Sequence, residues 1–285
     1  MRFFSILMFV GAMLITSCSQ TSKVKKPYNN PLIVGFNKSL DFKNLKAGHI
    51  TEGVKYVTLV ADEIKNEIIA VSDSKRSYEN TLLRLDDIYN IIESVWSPGY
   101  LMGSVHTDEE IRNEGLDASK TIQNYITDLS LDEDLYEAIF VYSKTMNAQN
   151  LRGYKKKFLD DTLLGYKRTG FNLPYEARVQ VKEALDRLTD LGLEFDKNIR
   201  GAQDTLFLDE SEMNGLPENY KKERLQKNGQ YAIDMSYPSY RPFMTLAESD
   251  NARENLRYMF NNRAVKTNLK VLDNIIRTRM DLVKL

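Results

Sequence analysis

Apolar residues recur at steps of three and four along most of this chain, and that spacing predicts helices. The longest such run lies within 171–217. Val181, Leu185, Leu188, Gly192, Phe195, Ile199 and Ala202 fall on one face of a helix expected over 174–202. At about 1.5 Å per residue such a helix measures about 43 Å, which suits the spine of a large helical domain. Pro174 fits its first turn, where no intrahelical N–H partner is needed. Glu183 with Arg187, and Asp196 with Arg200, are spaced to pair across one turn on its outer side. The pattern then changes to a short strand at 205–208 and a sharp Asn214-Gly-Leu-Pro217 turn.

Other helices are expected over 49–71 and from 77 onward, where Ser77 is a suitable N-cap. Leu82, Leu85, Ile88, Ile92 and Val95 keep the helical period until Ser97-Pro98-Gly99, which is expected to end that helix. Thr107 with Glu110, and Ser130 with Glu133, fit capping boxes that open helices over 108–130 and 132–147. Further helices are expected over 150–168, 218–227, 250–262 and 268–283. Residues 231–236 alternate like a strand and are spaced to pair with 205–208 as a hairpin that carries a helical insertion. Residues 31–44 and 237–242 read as irregular. The expected fold is mostly α: a multi-helix domain with one long central helix and a small β-hairpin. No repeat of fixed period is present, which argues against a solenoid.

The N-terminus follows different rules. Arg2 precedes an apolar run over 3–15, of signal-peptide length and too short to span a bilayer as a helix. It ends in Leu14-Ile15-Thr16-Ser17-Cys18, which resembles a bacterial lipobox. That resemblance implies a signal peptide over 1–17 and lipidation at Cys18, with the protein lipid-anchored in the cell envelope on the periplasmic or surface side. Residues 18–44 then form a tether and lead-in segment, and 45–285 the helical domain. Cys18 is the only cysteine, so no disulfide within the chain is expected.

With 39 basic and 40 acidic residues, the chain lacks the basic surplus of a nucleic-acid binder, and no nucleic-acid partner is expected. Lys155-Lys156-Lys157 and the acidic pairs Asp86-Asp87, Glu109-Glu110 and Asp160-Asp161 read as solvated helix surface. An H-E-x-x-H zinc site needs two histidines one turn apart with a glutamate to act as base. The two histidines, His49 and His106, lie far apart, and neither is followed by glutamate. His106 with Asp108 and Glu110 could offer metal donors, but their position at a helix start suits a solvated cap better. No catalytic residue and no metal ligand is assigned. Most aromatic residues fall on apolar stripes. Tyr237, Tyr240 and Phe243, in the segment expected to be irregular, are the exception and are candidates for contact.

Several segments together resemble the thimet oligopeptidase and peptidyl-dipeptidase family of zinc metallopeptidases, the M3 peptidases. Ser77-Tyr-Glu-Asn-Thr resembles the family's F-E-N-T helix start, and Asp132-Glu-Asp-Leu-Tyr its D-x-x-L-Y segment. The stretch 163–174 resembles its F-R-R-x-G-x-x-L turn, and Leu193-Glu-Phe-Asp-Lys-Asn198 its F-x-x-N helix end. Gly215-Leu-Pro217 matches G-L-P, and 251–263 with 268–279 resemble its R-x-x-x-x-x-A-x-x-x-R and N…I-x-x-x-R helices. The resemblance implies the N-terminal half of a neurolysin-like metallopeptidase fold, forming one wall of a substrate channel. Zinc in that family is held by the other, C-terminal half, so none is expected to bind to this chain. The implied partners are that catalytic half and, in the complete enzyme, short peptides. The apolar positions of 271–285 meet no stop signal, which favours a fragment of a longer peptidase. The alternative is a stand-alone, non-catalytic helical lipoprotein that binds peptides or a partner protein.

Overall fold

The computed structural model describes residues 24–26, 29–34 and 38–285. Cys18 and the signal segment lie outside the described residues. Eleven helices and one two-stranded sheet make up the described chain, so the mostly α reading holds.

The first core is built by α1 (His49–Ala70), α2 (Leu83–Val105), α3 (Glu109–Ser130), α4 (Glu133–Ser143), the short α5 (Met146–Gln149) and α6 (Gly153–Arg168). The stripes expected on α1 and α2 are its centre: Val57, Ile64, Ile68, Leu82, Leu85, Ile88, Ile92 and Val95 are all buried. Ser77 caps as expected. Its hydroxyl accepts from the Asn80 N–H while Asn80 Oδ1 accepts from the Ser77 N–H at 2.8 Å, and a π-helical turn over Tyr78–Leu82 leads into α2.

The helix does not stop at Ser97-Pro98-Gly99. It continues through Pro98 to Val105. Pro98 removes one backbone donor, but Val95, Pro98, Gly99, Met102 and Gly103 are all buried on the face that meets α1 and α3. Packing therefore overrides the local stop signal. The crossing with α3 is backbone against backbone. A Cβ built on Gly115 would lie 2.5 Å from the Gly99 carbonyl oxygen and 2.6 Å from the Gly103 nitrogen.

Both expected capping boxes shift to a nearby aspartate. Asp108, not Thr107, caps α3 by accepting from the Glu110 N–H at 2.9 Å. Asp132, not Ser130, caps α4 by accepting from the Leu135 N–H at 2.8 Å. A carboxylate satisfies the free N–H groups and also faces the positive end of the helix dipole. Asp132 gains further from Lys65, 3.0 Å away on α1. The helix expected over 132–147 is split, because Thr145 caps the separate α5.

The second core gathers β1 (Thr205–Leu208), α8 (Glu218–Arg224), β2 (Tyr231–Asp234), α9 (Tyr237–Leu246) and α10 (Asp250–Asn261). The strands pair antiparallel, Thr205 opposite Asp234 and Leu208 opposite Tyr231, as the alternation predicted. Gly215 in the G-L-P turn has φ +85° and leaves no room for a Cβ beside the Leu246 carbonyl. The Glu248 N–H then donates to the Asn214 carbonyl at 3.0 Å, which seals the turn onto the end of α9.

Residues 237–242 are helical rather than irregular. Pro238 sits in the first turn, where its missing N–H is not needed. Phe243 is fully buried and Tyr240 stacks on Phe260 with ring centres 3.8 Å apart, so two of the three contact candidates are core residues. Tyr237 is more than half exposed and meets the Phe260 ring edge-on.

The two cores are joined by α7 (Tyr175–Arg200) and α11 (Val265–Lys284), which lie along each other. The long helix is thus a strut rather than a buried spine. It also packs against α3, but only Val181 and Leu191 on it are buried, while Leu185, Leu188, Phe195 and Ile199 are half-buried. Its ion pairs are Arg178 with Glu133 of α4, Lys182 with Asp128 and Asp186, and Asp190 with Lys120 of α3. Neither Glu183–Arg187 nor Asp196–Arg200 pairs.

Replacing Gly115 with alanine forces the α2–α3 crossing apart. The expected loss is about 3 kcal/mol of stability, from overpacking where the neighbouring atoms are backbone and cannot rotate away. Urea denaturation followed by far-UV circular dichroism checks it, with Gly165→Ala as the control, since a Cβ there meets nothing within 4 Å.

Candidate functional site

Between the end of α7 and the turn from α10 to α11 lies a cleft of about 700 Å³. Lys197, Asn198, Gln203, Asp204, Tyr258 and Asn262 are among its lining residues. The chain reaches this place through local signals. Gly201 ends α7, and Ala264, at φ +55°, turns the backbone sharply into α11.

The floor beside the cleft is an asparagine clasp. Asn198 Nδ2 donates to Asn268 Oδ1 at 2.8 Å, and Asn268 Nδ2 donates to the Phe195 carbonyl at 3.1 Å. Asn268 is buried, so each polar atom depends on its partner rather than on water. Both asparagines belong to segments that carry the family resemblance, at the end of one helix and the start of the other. Sequence inspection did not single them out. The available signal was an asparagine at the first position of a three-four stripe formed by Asn268, Val271, Ile275, Thr278 and Leu282.

A second cleft, of about 830 Å³, lies between the starts of α1 and α3 and is mainly acidic, with Glu52, Glu109, Glu110, Glu114 and Asp117 around Lys55. Glu114 is already engaged, accepting from the backbone N–H groups of Gly48 at 3.1 Å and Thr51 at 2.8 Å.

Both histidines serve the backbone. His49 Nδ1 accepts from the Lys46 N–H at 3.1 Å, and His106 Nδ1 from the Asp108 N–H at 3.0 Å. Asp108 is used as a cap, so the three potential donors His106, Asp108 and Glu110 do not converge. Among the described residues no group of three or more His, Cys, Asp or Glu side chains is placed to hold a metal ion. The donor set here does not fit zinc. The buried phenols are structural donors. Burial pushes Tyr142 up to about 12, with Glu79 and Tyr78 adding to the effect, and its hydroxyl donates to Asn147 Oδ1 at 2.8 Å. Burial also raises Tyr220 to about 12 against the opposing charge of Arg224, and its hydroxyl donates to the Ser239 carbonyl at 2.7 Å. At neutral pH both remain protonated and cannot act as bases.

The other resemblance segments also have structural roles. Asn80 completes the capping box of Ser77, Asp132 caps α4, and Gly215 is the tight turn. Arg263 lies over the Phe260 ring and donates to the Met235 carbonyl at 3.1 Å, tying the end of α10 to the end of β2.

No protein-family model matches the chain. Individual proteins do. A thimet-like oligopeptidase of Dictyostelium discoideum is 26% identical over 231 residues, which is 79% of this chain and 34% of that protein. Oligopeptidase A of Escherichia coli is 24% identical over 275 residues, covering 90% of this chain and 40% of that protein. A probable thimet oligopeptidase of Arabidopsis thaliana is 23% identical over 242 residues, 83% of this chain and 33% of its own length. The chain is thus similar to a partial length of proteins named oligopeptidases, and resembles the M3 family. It spans between a third and two-fifths of the length of these curated relatives.

Replacing Asn268 with alanine removes one partner of the clasp and leaves the Asn198 amide without its acceptor. The expected loss is about 1–2 kcal/mol. A lowered urea midpoint with an unchanged slope checks it.

Proposed function

We propose that this chain is the N-terminal, channel-wall portion of a zinc-dependent oligopeptidase that hydrolyses short peptides, with the zinc site supplied by a different part of the complete protein. The observation that carries this reading is the match itself. Most of the chain aligns with proteins named oligopeptidases, yet the aligned part is well under half of each of them. The described residues have the character of a scaffold. Their motif residues cap helices, close turns and clasp α7 to α11, and the histidines hold loops. Walls of this kind would select substrates by size, since an extended peptide enters a channel that a folded protein cannot.

We further propose that the complete protein is held at a bacterial envelope membrane through a lipid on Cys18. The lipobox-like run before that residue supports this, and the basic residues Lys23, Lys25 and Lys26 of the tether favour an anionic surface.

The activity reading is tested on two samples. The 285-residue chain with added zinc is expected to give no turnover of quenched-fluorescent peptides. The complete protein, with an H-E-x-x-H motif in the reading frame past codon 285, is expected to turn them over and to lose that activity to a chelator. Metal-dependent turnover by the chain alone, or a stop codon with no such motif beyond it, overturns the reading and leaves a non-catalytic binding lipoprotein. For the anchor, Cys18→Ser is expected to move the protein from the detergent phase to the aqueous phase of a Triton X-114 partition. An unchanged partition refutes lipidation at that residue.

A further inference from the structure

α11 has two apolar stripes and the described chain uses one of them. Asn268, Val271, Ile275, Thr278 and Leu282 face α7. Rotated from that seam by about 120°, at about 100° per residue, lies a second stripe: Val265, Leu269, Leu272, Ile276, Met280 and Val283. Leu269 is 63% exposed, Ile276 49%, Met280 56% and Val283 87%, so this stripe is open to solvent along the full 20-residue helix. Its steps of four, three, four, four and three are those of a seam that takes one partner helix.

We infer that this stripe is the seat of a helix from the part of the complete protein that these residues do not include, so that α11 is shared between the scaffold and the catalytic portion. The inference rests on the proposed oligopeptidase reading. Two observations favour this occupant. The matched relatives carry well over half of their length outside the aligned region, so a large body of polypeptide needs a place to dock. The charges beside the stripe are also incomplete. Arg277 pairs with Asp273 and Lys284 with Asp281, but Lys266 and Lys270 on one flank and Arg279 on the other form no ion pair within the described chain. The occupant should therefore be an amphipathic helix with acidic residues beside its apolar positions.

A membrane surface suits the stripe less well. Helices that lie in a bilayer interface present aromatic anchors and a cationic polar face. This stripe has no aromatic residue, and Asp273 and Asp281 interrupt the cationic flank.

The test places a benzophenone amino acid at Ile276 of the complete protein. Photocross-linked peptides are then identified by mass spectrometry. A cross-link to a helical segment beyond residue 285 of the same polypeptide supports the inference. A cross-link to residues 265–285 of a second copy, to lipid, or to nothing overturns it. A second arm uses Leu272→Asp with Ile276→Asp. The 285-residue chain should melt unchanged, because both positions are already exposed, whereas the complete protein should be cleaved between its two portions about tenfold faster by limited proteolysis. Equal cleavage rates count against the seam. The zinc motif and peptide turnover are scored separately. An active enzyme whose cross-link falls elsewhere sinks this inference alone, and a missing motif sinks the oligopeptidase reading itself.

Discussion

The mutual dependence of Asn198 and Asn268 sets the relation between the two halves of this structure. Two hydrophobic cores form separately, one from α1 to α6 and one around the hairpin. The antiparallel α7–α11 pair joins them. An apolar seam between two helices tolerates sliding by a turn, because one leucine fills a hole much like another. A buried amide does not, since a shift leaves its donors and acceptors without partners in a region that water does not reach. The clasp therefore fixes where α11 begins along α7. With it go the position of α10 and of the whole second core.

The same logic runs through the first core. At the α2–α3 crossing the constraint is volume, since Gly99, Gly103 and Gly115 let two backbones touch. At Asp132 it is charge, since one carboxylate caps α4 and meets Lys65 of α1. Such contacts are specific, and each ties one helix to another. They give the segments that carry the family resemblance a physical meaning. The segments that carry the resemblance supply, in this chain, mainly caps, turns and clasps of a helical scaffold.

The helical face that the fold leaves unused is informative for the opposite reason. α11 is amphipathic on two sides, and a helix at a free surface needs only one apolar stripe. The second stripe represents apolar area that is still in water, with cations beside it that lack partners. A surface of that kind gains when a complementary helix covers it.

Element positions were largely legible from periodicity. The spans of α1, α3, α6 and α7, the two strands and their pairing all follow from patterns contained within a few turns of chain. So do the Ser77 cap and the Gly215 turn, because the forces behind them act between near neighbours. The errors have more than one origin. Ser97-Pro98-Gly99 read as a break, yet Pro98 is held inside α2 by packing against α1 and α3, and 237–242 read as irregular, yet they form α9 against β2 and α10. The α7 helix read as the spine of the domain, yet its stripe is only half-buried, because burial depends on how many neighbours arrive and not on the stripe alone. The caps at Asp108 and Asp132 won over Thr107 and Ser130 through charge, which a motif search for hydroxyl residues undervalues. The clasp between Asn198 and Asn268 was invisible for the plainest reason. Each asparagine is unremarkable in its own helix, and their pairing, across a sequence separation of 70, exists only once the intervening chain has folded and brought the two helices side by side.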